Sequence, residues 1–312
     1  MKIFFFGAPS FSAEILKNLL QEKINIDYLI THPDKKVGRR QKLTANPTKL
    51  LAQKTGLPIK EFARLDKKSL NFFQEEKADL FIVAAYGQLI PKEILQSARL
   101  GALNIHPSLL PKLRGPAPIQ TALQQGLKKT GTSIMLMTEK MDAGPIIYQE
   151  EISIKNDDCY PQLEKKLIKL SGRLINKTIS YIKKEGKLPP AQPQDEKQAT
   201  YSQLIKKQDG LINWQETAEQ IYNRWRAFCQ WPQVYSFYRG EKIILKEIKL
   251  SPIQQPQLKP GTIFSANGQI LIQTGKNSLK IIKLQLAGKK ETSIHDFLNG
   301  HPHFVSAQLT AK

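Results

Sequence analysis

The sequence predicts an α/β protein in two parts: a doubly wound, mainly parallel sheet, then a small β-barrel. Apolar runs at residues 3–6 and 80–85 read as strands covered on both faces. Segments with apolar residues at helical spacing alternate with such strands up to residue 184, the order of a sheet wound with helices. From Lys187 the composition turns to proline, glutamine and charge, and five short strands follow, as in a small barrel.

The elements follow in chain order. After the strand at 3–6, Ser12 stands where a helix N-cap is expected, with Glu14 in the first turn. Ile15, Leu16, Leu19 and Leu20 then recur at helical spacing, and residues 26–30 read as a second strand. The first turn, Gly7-Ala8-Pro9-Ser10, lacks the three-glycine dinucleotide fingerprint, so no nicotinamide or flavin cofactor is expected. Residues 31–49 have no apolar periodicity but carry Lys35, Lys36, Arg39, Arg40 and Lys42 around Gly38. A loop of that length inside a domain is usually functional or disordered. The cations would grip phosphates or simply stay solvated.

Pro91 opens a short helix through Leu95, and Gly101-Ala102-Leu103 reads as the end of a buried strand. The stretch around which the chain is organised comes next, NIHPSLLPKLRG at 104–115. Asn104 and His106 are two apart, so on a continuing strand they point to the same side. Pro107 and Pro111 end the strand. Polar groups at the carboxyl end of a buried strand are where an open α/β sheet places its chemistry. Strands at 132–137 and 146–152 and a helix at 160–184 with a basic outer face complete this part.

Residues 189–208 read as a linker between a domain at 1–188 and one at 209–312. The second domain opens with a helix at 217–228, which carries Ile221, Trp225 and Phe228 on one side with Arg224 and Arg226 nearby. Strands at 234–238, 242–250, 261–264, 269–273 and 278–286 suggest a barrel of the oligonucleotide-binding kind. Lys242, Lys246, Lys249, Lys280, Lys283, Lys289 and Lys290 give it a cationic surface suited to an RNA backbone.

Charge points the same way. The chain of 312 residues carries 47 Lys+Arg against 27 Asp+Glu, a net charge of +20, and such an excess attracts a polyanion through counterion release. Cys159 and Cys229 are its two cysteines, with no Cys/His cluster near either. That argues against a disulfide framework or a metal site and fits a reducing cytoplasm. No apolar run is long enough to span a bilayer, and Gly7, Pro9 and Ser10 interrupt the opening before a signal-peptide core forms.

The chain resembles the methionyl-tRNA formyltransferase family over essentially its whole length. The matching pieces are FGAPSFSAEIL, PDKKVGRRQKLTANPTK, AAYGQLIP, LNIHPSLLPKLRGPAPIQ, TGTSIMLMTEKMDAGPI, the INW and RAFCQWP segments, and the closing PGTI and LAGKK. The HPSLLPxxRG core is shared by formyltransferases that use 10-formyltetrahydrofolate. The long basic insertion and the second domain narrow the resemblance to the tRNA enzymes. Trp225 before Arg226, and Cys229-Gln230 before Trp231-Pro232, depart from the family's usual residues.

The resemblance implies a Rossmann-like formyltransferase domain with an OB-like tRNA-binding domain. It implies 10-formyltetrahydrofolate as formyl donor and methionyl-initiator tRNA as acceptor, with no metal, no membrane and no obligate protein partner. The catalytic residues it implies are Asn104, His106 and Asp142, the last in the MDAG loop. Folate contacts carry over to Ser108, Leu109, Leu110 and Pro111 and to Tyr86, Gly87, Gln88 and Leu89. Lys35, Lys36, Arg39, Arg40 and Lys42 would meet the acceptor stem of the tRNA. Two other classes stand beside it: a formyltransferase acting on purine precursors or sugar nucleotides, and a non-enzymatic RNA-binding protein on the same scaffold.

Overall fold

The computed structural model describes residues 1–38 and 41–311. They fall into two compact units. One comprises residues 1–118, 129–153 and 163–203, the other residues 119–128, 154–162 and those from 204 onward.

The first unit contains β1 (Ile3–Gly7), β2 (Tyr28–Thr31), β3 (Lys35–Val37), β4 (Lys42–Thr44), β5 (Ile59–Glu61), β6 (Leu80–Ala84), β7 (Ala102–His106), β8 (Lys129–Leu136) and β9 (Ile146–Ser153). Among the described residues, all of these but β3 and β4 form one sheet in the order β5-β2-β1-β6-β7-β8-β9. The first five in that row pair in parallel, and β8 and β9 add on antiparallel. The sheet is thus mainly parallel, and its order reverses between β1 and β6, the switch point beside which open α/β sheets bind ligands. β1 and β6 are buried at every position. Helices α1 (Ser10–Gln21), α2 (Pro47–Thr55), α3 (Lys67–Glu76) and α4 (Lys92–Leu95) follow their strands, and α5 (Pro118–Gln124) and α6 (Tyr160–Glu185) come later in the chain.

An aromatic cluster packs one side of the central strands. Phe6 stacks on Phe73 at 5.8 Å and meets Tyr86 edge-on at 5.4 Å, and Phe4 stacks on Phe81 at 5.7 Å. Offset and edge-on pairs of this kind add to plain burial.

The amino ends of the central strands β1 and β6 are tied electrostatically. The Asp79 carboxylate accepts the Lys2 N–H at 2.7 Å and the Arg99 Nε–H at 2.7 Å. The Arg99 hydrogen bond, then the Lys2 amide, hold its carboxyl below the usual carboxylate range. A depressed carboxyl contributes stability that is full above its unfolded value and lost as pH falls through its folded one. Asp79→Asn is therefore expected to be destabilised relative to the parent at neutral pH, with the gap closing in acid. Denaturant unfolding at a series of pH values checks this, and a gap independent of pH would contradict it.

Three local expectations are corrected. Ser12 is not an N-cap: α1 begins at Ser10 after Pro9, and the buried Ser12 Oγ–H donates to the Ala84 carbonyl at 2.5 Å. A hydroxyl inside a helix must find an acceptor once buried, and the end of β6 provides one. Residues 31–49 are not one irregular loop. β3 and β4 pair as an antiparallel hairpin, and Asn46 then caps α2 by accepting the Lys49 N–H. β5, α2 and α3 add a parallel strand and two helices to the elements read from the sequence.

Residues 189–208, read as a linker, divide between the units at 203/204. The first part is not slack. Gln192 exchanges both backbone hydrogen bonds with Ile146, and Ser202 N donates to Arg114 O at 2.7 Å. A polar stretch with little to bury is held here by its backbone and amide groups.

In the second unit, α7 (Ala218–Phe228) starts from a Thr217–Gln220 capping box. Ile221 and Phe228 are buried as expected, but Arg226 is buried as well. The strands are β10 (Tyr235–Tyr238), β11 (Glu241–Ser251), β12 (Ile263–Ala266), β13 (Gln269–Gln273), β14 (Ser278–Leu286) and β15 (Thr292–Ser293), and the short α8 (Ile294–Gly300) follows. They pair in the order β10-β11-β14-β13-β12, with β15 on β14. The curled sheet is closed by a segment the sequence did not mark. Thr310 exchanges both backbone hydrogen bonds with Phe237 of β10, and Ala307 and Leu309 bond beside β12, to Ile263 and Gly261. Residues 306–310 act as a stave joining the two edges, which makes the unit a small barrel.

Candidate active site

β7 delivers the site. It pairs in parallel with β6 and antiparallel with β8, with Asn104 opposite Val83 and Met135, and His106 opposite Ser133. Pairing on both sides fixes which face Asn104 and His106 occupy. His106 is buried and Asn104 half-buried, at the carboxyl end of the strand.

Asp142 reaches both of them from the loop between β8 and β9. Its Oδ1 accepts Asn104 Nδ2–H at 3.1 Å, and its Oδ2 accepts the Gly115 N–H at 2.8 Å. The same Oδ2 lies 3.7 Å from His106 Nδ1. The structure thus brings the three side chains together. His106 Nε2 lies 2.9 Å from the Leu113 carbonyl oxygen. A carbonyl only accepts, so Nε2 carries a proton and Nδ1 is the nitrogen turned toward the carboxylate. Asn104 has two amide hydrogens, and Asp142 engages one while fixing the plane of the other.

The loop that supplies Asp142 is held by residues the sequence reading did not single out. Gln194 Nε2 donates to the Asp142 carbonyl at 2.9 Å and to the Gly144 carbonyl at 2.7 Å. The buried Arg114 guanidinium donates in turn to Gln194 Oε1 and to Glu196. It holds the Glu196 carboxyl below the usual carboxylate range. Asp142 has a left-handed backbone, φ 51°, which a short polar residue tolerates best. Gly144 lacks a side chain for a steric reason: a Cβ there would lie 1.8 Å from the Leu136 carbonyl oxygen. Gly115 combines φ 104° with a Cβ position 2.8 Å from the Ser202 carbonyl, so only glycine presents its N–H to Asp142 there. No local signal marks Gln194, which lies in a stretch whose composition reads as a linker.

The other expected residues take several positions. Ser108 is fully buried, its hydroxyl donating to Lys112 O at 2.6 Å and its carbonyl accepting from Ser133 Oγ at 2.7 Å. Leu110 is buried, and its carbonyl accepts from Gln149 Nε2 at 2.9 Å. Leu109 packs toward Gly131, and Pro111 is half-buried after a cis peptide bond. After β6, the Tyr86 ring stacks on His32 at 4.6 Å within the aromatic core, where burial pushes its phenol up to about 12. Gln88 donates to Ala63 O and sits 2.8 Å from His32 Nδ1. Gly87 turns the chain with φ 81°, and Leu89 is 76% exposed. At these loops the Leu89 side chain faces solvent, whereas the Ser108, Leu110 and Tyr86 side chains are buried.

Lys35, Lys36 and Lys42 are exposed on the β3–β4 hairpin. Arg39 and Arg40 lie outside the described residues. In the second unit, Lys242 lies over the Tyr235 ring at 3.5 Å, and Lys283 is shared by Glu247 and Glu291. Part of the expected cationic surface is therefore paired within the barrel. Among the described residues no group of three or more His, Cys, Asp or Glu is placed to hold a metal, and no helix is long and apolar enough to cross a membrane.

Comparison with known proteins defines the class first. A family model described as formyl transferase matches residues 1–179, and one for its C-terminal domain matches residues 204–302. A methionyl-tRNA formyltransferase of Caldicellulosiruptor saccharolyticus is 39% identical over 96% of this chain and 97% of its own length. One of Bacillus cytotoxicus is 37% identical over 96% of each. Among solved structures, an N-formyltransferase of Helicobacter canadensis in complex with folinic acid and dTDP-3-aminofucose shares the fold. Its TM-score is 0.66 at 16% identity, covering 94% of this chain and 100% of that one. The chain belongs to the methionyl-tRNA formyltransferase family.

Proposed function

We propose that this enzyme transfers the formyl group of 10-formyltetrahydrofolate to the free α-amino group of methionyl-initiator tRNA, with Asn104, His106 and Asp142 as its catalytic residues. The product is N-formylmethionyl-tRNA for translation initiation, made in the cytoplasm. The observation that carries the site assignment is Asp142, whose two carboxylate oxygens face Asn104 on one side and His106 on the other.

The donor set fits a formyl carbon attacked by an amine. The folate supplies a formyl group on N10, activated for transfer. As the amine adds, the carbonyl oxygen gains negative charge, and the second N–H of Asn104 is placed to meet it. One such donor is worth about 3 kcal/mol in acyl transfer. His106, with Nε2–H committed to Leu113 O, accepts the proton shed by the amine at Nδ1. Asp142 stabilises the resulting imidazolium and steers the proton, through water, toward the leaving nitrogen. None of the three acts as a nucleophile, because the amine bonds directly to carbon.

The folate fits the loops after β6 and β7, with Leu89, Leu109 and Pro111 flanking its ring and backbone groups of 86–89 and 108–111 bonding its edge. The basic segment, Lys35, Lys36 and Lys42 together with Arg39 and Arg40, meets the acceptor stem, and the domain at 209–312 adds backbone contacts. Support comes from the exposed lysines of the hairpin and from the relatives' shared name.

The test is formyl transfer from 10-formyltetrahydrofolate to initiator and elongator methionyl-tRNA across a salt series. Preference for the initiator, with KM rising steeply in salt, is expected. Use of a nucleotide-linked amine in preference to tRNA would overturn the substrate assignment. Lys35→Ala, Lys36→Ala and Lys42→Ala should each raise KM for tRNA, leave KM for folate unchanged, and reduce the slope of log KM against log salt by about 0.7 to 0.9 per lost contact. Unaltered salt slopes in all three would remove the hairpin from tRNA binding.

A further inference from the structure

The mechanism uses neither cysteine, yet the second unit sets the two side by side. Cys159 directly precedes α6, and Cys229 ends α7. The two segments are latched by Arg226, which is 4% exposed and donates from Nη1 to Lys155 O at 3.2 Å and Asp158 O at 3.1 Å. Its Nη2 donates to Asn223 Oδ1 at 2.5 Å. Arg226 and Cys229 are three apart on α7, so they lie on the same face. At the end of that latch the Cys159 thiol, which lies 3.8 Å from the Asp157 carbonyl oxygen, neighbours the Cys229 sulfur, and that sulfur in turn faces the backbone N–H of Tyr160, the first residue of α6. Cys229 sulfur thus meets a thiol donor and the amino end of a 26-residue helix. Both cysteines are free and half-exposed, within reach of a small reagent.

We propose that Cys159 and Cys229 form a reactive dithiol, with Cys229 as the attacking sulfur and Cys159 as the resolving one, which a hydroperoxide converts to a reversible intramolecular disulfide. Cys229 thiolate attacks the terminal peroxide oxygen, the O–O bond breaks, and the other oxygen leaves as water or an alcohol after protonation. Cys229 is then a sulfenic acid. The Cys159 sulfur attacks it, the S–O bond breaks, and hydroxide leaves as water with the Cys159 proton. The two thiols together give up two electrons and two protons, and the peroxide takes both. Any thiol reductant opens the disulfide back to the dithiol, so the cycle suits a reducing compartment.

The electrostatics agree with the division of labour. The Cys159 S–H bond, assisted by the Tyr160 and Gln230 amides, brings the Cys229 thiol down to about 7 against its burial. The Cys159 thiol is pushed up, because its proton is shared with the Cys229 sulfur and it is partly buried. The ionisable groups facing the pair are Arg226, Asp158 and Tyr222. A sulfur partly ionised at neutral pH beside one that keeps its proton is the arrangement of an attacking and a resolving thiol.

The test uses the full chain and hydrogen peroxide at one equivalent. Mass spectrometry should show loss of two hydrogens, a tryptic cross-link between the peptides of 159 and 229, and full reversal by dithiothreitol. Cys159→Ser should stop at a Cys229 sulfenic acid that dimedone traps. Cys229→Ser should slow peroxide consumption about tenfold at neutral pH, since an ordinary thiol is only a few per cent ionised there. Equal alkylation rates at the two cysteines in the unmodified chain, or oxidation giving only intermolecular disulfides or sulfinic acid, would overturn the proposal without recourse to the variants. The outcome is independent of the formyl-transfer assignment.

Discussion

Asp142→Ala is expected to lower the rate of formyl transfer about a thousandfold or more, while folate and tRNA still bind. Removing the carboxylate does three things at once. It frees the Asn104 amide to rotate, takes the countercharge from His106, and leaves the Gly115 N–H without its acceptor. Because the first two act on the transition state, the loss belongs in kcat rather than in KM. His106→Ala should fall to a comparable rate, and the double variant should be little worse than either, since the residues work as a unit. Asp142→Asn keeps the size and one acceptor, so it separates charge from shape. Near-normal turnover in either alanine variant, measured by single-turnover formylation of methionyl-tRNA, removes that residue from the catalytic group.

Gly144→Ala is expected to cost both stability and activity, although the change adds one methyl group. That methyl would sit 1.8 Å from the Leu136 carbonyl oxygen, which is backbone and has nowhere cheap to move. Overpacking of this kind costs about 1–3 kcal/mol and occasionally more. The strain falls on the segment that Gln194 straps down through the Asp142 and Gly144 carbonyls. A loop pushed outward carries the Asp142 carboxylate away from His106, so transfer should drop more than the loss of folded protein explains. Denaturant unfolding followed by circular dichroism, with kcat measured on the folded fraction, separates the two effects. An unchanged midpoint with full activity would show that the loop yields freely.

The parallel sheet was legible because its strands are continuous apolar runs, and 80–85 could hardly be anything else. Its antiparallel edge was legible as strands at 132–137 and 146–152, but not as a change of direction, which depends on where the chain returns. β5 and α2 were missed for a different reason. Ile59 to Glu61 is a three-residue strand, too short for any period, and the cap at Asn46 was hidden in a basic segment that reads as loop. In the site, Asn104 and His106 announce themselves by spacing, whereas Asp142 alone would pass for a turn residue before Gly144. Only the family resemblance joined it to the other two. Gln194 was invisible for the reason that makes it useful: a glutamine among prolines satisfies carbonyls one by one, and that leaves no pattern in a sequence.

β7 has a neighbour of each orientation, and it carries Asn104 and His106 with leucine and isoleucine at the alternate positions. Adding or removing a single residue just ahead of Leu103 would exchange the pairs, turning hydrocarbon toward Asp142 and sending an amide and an imidazole to the opposite face. The segment can therefore drift in composition over time but not in length, and any natural indel near it should be found in the loops on either side.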